Sequence, residues 1–177
     1  MNLDKLLQNI KIISVLGNTE IDVTAVQFDS RKTTANSLFV ATCGSAVDGH
    51  DFINIAIENG ASAVVCEKMP AEKLPTVTYI QVENSSDALG KLASAWYDFP
   101  SSKLTLIGVT GTNGKTTIAT LLYKLFGELG FKVGLLSTVC NYIDKKAVEA
   151  THTTPDSLAL NELLANMVDA GCEYAFM

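Results

Sequence analysis

Thr110-Gly111-Thr112-Asn113-Gly114-Lys115-Thr116-Thr117 follows directly on the apolar run Leu104-Thr105-Leu106-Ile107-Gly108-Val109, so a buried strand is expected to feed a glycine loop that opens a helix. That order suits a phosphate cradle. Backbone N–H groups freed by Gly111 and Gly114 converge on anionic oxygens, and the helix presents its positive dipole end to the same point. Lys115 adds a point charge for the outer phosphates, and Thr116 puts a hydroxyl where a magnesium ion is held in such loops. A bare strand-to-helix turn needs one glycine and has no use for Gly-Lys-Thr at the helix mouth. The general nucleotide-binding pattern places a glycine five residues before Gly114, where this chain has Val109, so the loop is a shorter variant.

Downstream, Ile118, Leu121, Leu122, Leu125, Phe126 and Leu129 fall on one helical face, with Gly130 as the C-terminal cap. The runs at 132–139 and 141–148, a helix at 155–170 and the apolar ending Tyr174-Ala175-Phe176-Met177 continue a strand-helix alternation. This predicts a parallel sheet with crossover helices. Only some 75 residues follow the linker-like Phe99-Pro100-Ser101-Ser102-Lys103, so this second domain, 101–177, is expected to be incomplete.

Residues 1–100 read as a separate small α/β domain. An amphipathic start carries Leu3, Leu6, Leu7 and Ile10. Strands are expected at 23–28, 38–41, 61–65 and 77–82, with helices at 51–58 and after the capping run Asn84-Ser85-Ser86-Asp87.

Composition narrows the function. The 177 residues are 47% hydrophobic and 18% charged, enough for a real core, and no apolar stretch reaches the roughly 18 residues of a membrane span. Asp4, Lys5 and Gln8 interrupt the first ten residues, unlike a secretory leader, so the chain reads as cytoplasmic. A net charge of −6 disfavours nucleic acid. Cys43, Cys66, Cys140 and Cys172 form no Cys-x-x-Cys pair and read as incidental thiols. With His50 and His152 the only imidazoles, a histidine-built zinc site is not expected.

Two further stretches carry chemistry. Asp29-Ser30-Arg31 closes one strand, and Gly44-Ser45-Ala46-Val47-Asp48-Gly49-His50 follows another. Together they deliver a hydroxyl, freed N–H groups and an imidazole to one rim, suited to a polar or phosphorylated ligand. Ordinary turn chemistry and a surface Asp29–Arg31 ion pair account for the same residues. Thr151-His152-Thr153-Thr154-Pro155-Asp156 makes a good helix start, with Thr154 as N-cap and Pro155 at the first helical position. His152 and Thr153 stay free for a second anionic ligand at the carboxyl edge of the sheet.

Taken together, Asp29-Ser30-Arg31, the run from Leu38-Phe39-Val40-Ala41 to Asp48-Gly49-His50-Asp51-Phe52-Ile53, residues 110–117 and Thr153-Thr154-Pro155-Asp156 resemble the Mur ligases over the whole chain. The Thr-Thr-Pro-Asp element favours the members that add the third peptide residue in peptidoglycan precursor synthesis. The resemblance implies a UDP-substrate-binding domain followed by the first part of an ATPase domain. Phe28, Ser30, Ser45, Ala46 and Val47 would contact the UDP part. Thr153 and Thr154, with His152 beside them, would contact the muramoyl-peptide part. Gly111, Thr112, Asn113, Gly114, Lys115, Thr116 and Thr117 would bind ATP, with Lys115 and Thr116 catalytic and Thr116 on Mg2+.

The implied reaction is phosphoryl transfer from ATP to the carboxylate of UDP-N-acetylmuramoyl-L-Ala-D-Glu, then attack by the amine of meso-diaminopimelate or L-lysine. The implied enzyme is a monomer, and a fragment of this length is expected to be inactive alone. The alternatives are the sister ligase that adds D-Ala-D-Ala, and a P-loop kinase or stand-alone nucleotide-binding module. No guanine-reading Asn-Lys-x-Asp run is present to favour a GTPase.

Overall fold

The computed structural model describes residues 1–44, 47–148 and 155–177. The chain forms two compact units, Met1–Trp96 and Tyr97–Met177.

In the first unit, α1 (Leu3–Leu7) precedes β1 (Ile12–Leu16), β2 (Ala25–Gln27), β3 (Ser37–Val40), α2 (Ile53–Glu58), β4 (Ala61–Cys66), β5 (Thr78–Val82) and α3 (Ser85–Trp96). Single turns of 3-10 helix lie at Ser30–Lys32 and Gly49–Phe52. The strands order as β1-β5-β4-β3-β2; the pairs β2–β3, β3–β4 and β4–β5 are parallel, and β1 runs antiparallel to β5. β3 is buried along its whole length, as a continuous apolar run covered on both faces should be. Phe39, Val64 and Tyr79 from neighbouring strands join Ile53 and Ala56 of α2 in one core cluster.

β1 was not among the expected strands. Ile12-Ile13-Ser14-Val15-Leu16 is mostly apolar, with β-branched Ile12, Ile13 and Val15, yet exposed throughout, because among the described residues it is the edge of the sheet and pairs on one side only.

The second unit opens with a 3-10 turn, Pro100–Ser102, so the stretch expected to be a linker is ordered, with Pro100 buried. Then come β6 (Thr105–Ile107), α4 (Lys115–Glu128), β7 (Val133–Leu135), β8 (Asn141–Ile143), β9 (Lys146–Val148), α5 (Ser157–Asp169) and β10 (Tyr174–Phe176). The sheet order is β6-β10-β7-β8-β9. β10 lies parallel between β6 and β7, while β8 and β9 form an antiparallel hairpin on the far edge. Phe126, Phe131, Tyr174 and Phe176 interlock edge-on or tilted, with ring centroids 4.8–5.8 Å apart.

Three expectations change here. β6, expected to be buried, is largely exposed, since among the described residues it pairs on one side only. The apolar face expected on α4 divides: Ala119, Leu122, Tyr123 and Phe126 meet the sheet, whereas Ile118, Leu121, Leu125 and Leu129 face outward. The helix is apolar over more of its circumference than one sheet can cover. The N-cap of α5 is Asp156 rather than Thr154: its Oδ1 accepts the Ala159 N–H at 2.9 Å, which moves Pro155 outside the helix. Thr154 itself, with Thr151, His152 and Thr153, lies outside the described residues.

Candidate functional site

The second unit holds the glycine loop. Gly111 at φ +151° and Gly114 at φ +81° adopt conformations that side-chain-bearing residues rarely take. Space does not demand glycine at either place, because a Cβ would meet only Asn113 O at 3.6 Å or Ile118 Cδ1 at 4.0 Å. The backbone twist demands it. Gly114 is the N-cap of α4 and offers no side chain to it, so the helix begins with N–H groups open to an anion. The Lys115 ammonium folds back to donate to the Gly111 carbonyl, placing its charge across the loop. Thr112, Asn113 and Thr117 are exposed along the rim, and Thr116 is half-buried one residue into the helix. The loop therefore presents amides, an ammonium and a hydroxyl within residues 111–117. Thr116 offers the single hard oxygen donor that a magnesium ion shared with phosphates needs from a protein, so the donor set fits Mg2+ together with a nucleotide tail.

The first unit holds a cavity of about 520 Å3 at the carboxyl ends of β2 and β3. Those strands are parallel, so the segments that leave them emerge at one edge. β2 delivers Phe28, Asp29, Ser30 and Arg31; β3 delivers Thr42, Gly44, Val47 and Gly49; Phe39, Phe52 and Ile55 complete the lining. Aromatic and aliphatic walls with few polar groups match a planar heterocycle in size and character.

Asp29 caps the 3-10 turn through the Arg31 N–H at 3.0 Å and grips the Arg31 guanidinium with both oxygens, at 2.9 and 2.8 Å. The Arg31 side-chain bond holds the Asp29 carboxyl below the usual carboxylate range. The ion-pair reading of Asp29 and Arg31 therefore holds, and the same two residues also line the cavity. Gly49 is required by close approach: a Cβ there would lie 2.7 Å from Thr42 O and 2.8 Å from Thr42 N.

Phe28, Ser30 and Val47 thus share one cavity, while Ser45 and Ala46 lie outside the described residues. The imidazole expected at this rim is not part of the lining. His50 turns toward Asp48 and the end of β4, with Nδ1 2.6 Å from Asp48 Oδ1 and Nε2 2.9 Å from the Glu67 amide nitrogen. Glu67 is the residue that sequence spacing could not reveal. Its Oε1 accepts both the Ser85 N–H at 2.8 Å and the Ser85 hydroxyl at 2.7 Å, capping α3 from 18 residues away. Those two bonds, the amide first, hold its carboxyl below the ordinary range. Nearby, loss of hydration and then the Glu67 and Asp48 carboxylates push the Cys43 thiol up, which keeps it protonated. Among the described residues, no helix is long and apolar enough to cross a membrane.

Residues 22–97 match the Mur ligase family, catalytic domain, and residues 109–177 match the Mur ligase middle domain. Over its whole length the chain is 54% identical to the UDP-N-acetylmuramoyl-L-alanyl-D-glutamate--2,6-diaminopimelate ligase of Bacteroides fragilis, and it spans 36% of that protein. A solved structure of a ligase of the same name superposes on 99% of the chain, and on 35% of its own, with TM-score 0.74 at 23% identity, a likeness of fold. The MurF ligase of Thermotoga maritima, solved in complex with ADP, aligns with 86% of the chain and 30% of its own at TM-score 0.53 and 28% identity.

Proposed function

Because the chain belongs to the Mur ligase family, we propose that it is the nucleotide-handling front part of a cytoplasmic ATP-dependent ligase that joins meso-diaminopimelate to UDP-N-acetylmuramoyl-L-alanyl-D-glutamate. The glycine loop supports this most. Its two left-handed glycines, uncapped helix start and inward-folded lysine are what a triphosphate tail requires. Diaminopimelate is preferred to L-lysine, and to the D-Ala-D-Ala of the sister ligase, because the relative that is 54% identical carries it in its name.

In this reading the loop amides, Lys115 and Thr116 hold ATP and its Mg2+, which supply the phosphoryl group that activates a carboxylate for amide formation. Lys115 offsets negative charge on the outer phosphates, and its pull grows as charge builds on the transferring group. Gly111 and Gly114 keep the amides aimed without side chains in the way. The α4 N-terminus contributes its dipole at the same point. In the first unit, the cavity between Phe28, Ser30 and Val47 takes the UDP end of the substrate, with Ser45 and Ala46 assigned to the same contact. His152, Thr153 and Thr154 are assigned to the muramoyl-peptide end.

The test is phosphate release by a polypeptide of the relatives' length that carries this chain. Release should require both the UDP-muramoyl dipeptide and diaminopimelate, and Lys115→Ala should lower kcat by at least about 10²-fold, the scale of losing one donor to developing charge. Turnover unchanged in Lys115→Ala would contradict the proposal.

A further inference from the structure

We propose that His50 is a positioning residue for the substrate cavity: its ring latches the described loop residues, 42–44 and 47–49, to the end of β4 and thereby fixes the wall that the UDP moiety meets. The proposal rests on the reading of that cavity as the UDP site.

The tautomer follows from the partners. Two backbone N–H donors face Nε2, from Glu67 at 2.9 Å and Lys68 at 3.3 Å. An N–H only donates, so Nε2 carries a lone pair and the ring proton is on Nδ1, which donates to Asp48 Oδ1 at 2.6 Å. The same carboxylate oxygen accepts the His50 backbone N–H at 3.0 Å. The side chain is 11% exposed and uses both ring nitrogens.

What the ring joins gives it its effect. On one side lies the loop. It is closed by the Cys43–Asp48 bridge, by Gly44 N–H to Val47 O at 3.0 Å and by Gly49 N–H to Thr42 O at 2.9 Å. Thr42, Gly44, Val47 and Gly49 of this loop line the cavity, whereas His50 does not. On the other side lies the end of β4, itself tied to α3 by Glu67–Ser85 and to β5 by the Gln81 side chain, which donates to Glu67 O at 3.1 Å. Without the ring, the loop keeps its internal bonds, and its remaining side-chain tie to the end of β4 is the Cys43 thiol on Glu67 Oε2 at 3.5 Å.

Cys43, Asp48 and His50 also bring their heteroatoms within 4.8 Å of one another, a spacing that suits a metal. The tautomer closes that route. A metal on Nδ1 with Nε2 still accepting would need an imidazolate, and a proton moved to Nε2 would point at two N–H donors.

Three versions of this chain test the latch: wild type, His50→Phe and His50→Gln, each measured by amide hydrogen exchange and by calorimetric titration with UDP. His50→Phe should speed exchange at the Glu67 and Lys68 amides, which lose their acceptor, and weaken UDP binding, each by about 10-fold or more, the scale of losing two to three hydrogen bonds. His50→Gln, whose amide oxygen reaches the Nε2 position and accepts from Glu67 and Lys68, should recover to within about threefold of wild type. If His50→Phe fails to fold, His50→Asn takes its place, since it keeps donation to Asp48 but offers no acceptor to β4.

Equal UDP affinity in wild type and His50→Phe, or unchanged exchange, would overturn the latch while leaving the cavity assignment standing. No UDP binding by the wild type would overturn the cavity reading and this proposal with it. Nitrogen shifts showing Nε2 protonated at neutral pH would overturn the proposal on their own.

Discussion

Glu67 makes three contacts through three of its groups. Its carboxylate caps α3, its amide serves the His50 ring, and its carbonyl anchors Gln81. Because the Ser85 bonds depress its folded-state pKa, Glu67 adds stability at pH values above the ordinary glutamate range, and that stability is lost as pH falls through the lowered value. Glu67→Gln keeps an acceptor oxygen for Ser85 but cannot titrate. Acid unfolding followed by circular dichroism should therefore show a shallower loss of stability below about pH 4.5 than in wild type, the range in which an ordinary glutamate gains its proton. An identical acid limb in both proteins would count against a depressed Glu67. None of this was legible in the sequence, because no local pattern joins Glu67 to Ser85 or to His50. Asp48-Gly49-His50 suggested a turn that offers an imidazole to a ligand; the turn formed, and the ring went to the sheet instead. Gly111 and Gly114 were legible because the strand, loop and helix that demand them are contiguous.

At the scale of elements, periodicity located α4 and misjudged its faces. A run of apolar residues at helical spacing cannot say how wide a surface awaits it, and here β7 and β10 cover only the side of Ala119, Leu122 and Phe126. The two faces predict different mutational costs. Phe126→Ala, at a partly buried site, should destabilise the second unit by about 2–3 kcal/mol, below the range for a fully buried Phe, while Leu125→Lys, more than half exposed, should stay within about 0.5 kcal/mol. Urea unfolding monitored at the second unit's tyrosines measures both, and comparable losses would restore the single-face view of the helix. β1 escaped notice for a related reason: an edge strand exposed on both sides has no alternation to read. The α5 start was read one cap too early because Thr154 and Asp156 are both good N-caps, and only the bond to Ala159 N–H distinguishes them.

For the molecule as a whole, the α/β class followed from strand-helix alternation, and both sheets carry parallel cores with one antiparallel margin. The margins were not foreseeable, since β1 and the β8–β9 hairpin depend on which edge each sheet leaves open. Each unit carries one proposed nucleotide site, a phosphate loop in one and a heterocycle cavity in the other. The most direct test is a pair of amide chemical-shift titrations of this chain, one with ATP and magnesium and one with UDP. ATP should move Gly111, Gly114, Lys115 and Thr116, while UDP should move Phe28, Ser30, Val47 and Gly49. If ATP saturates the protein and leaves the amides of 111–116 in place, the loop is not a triphosphate cradle and the account is wrong.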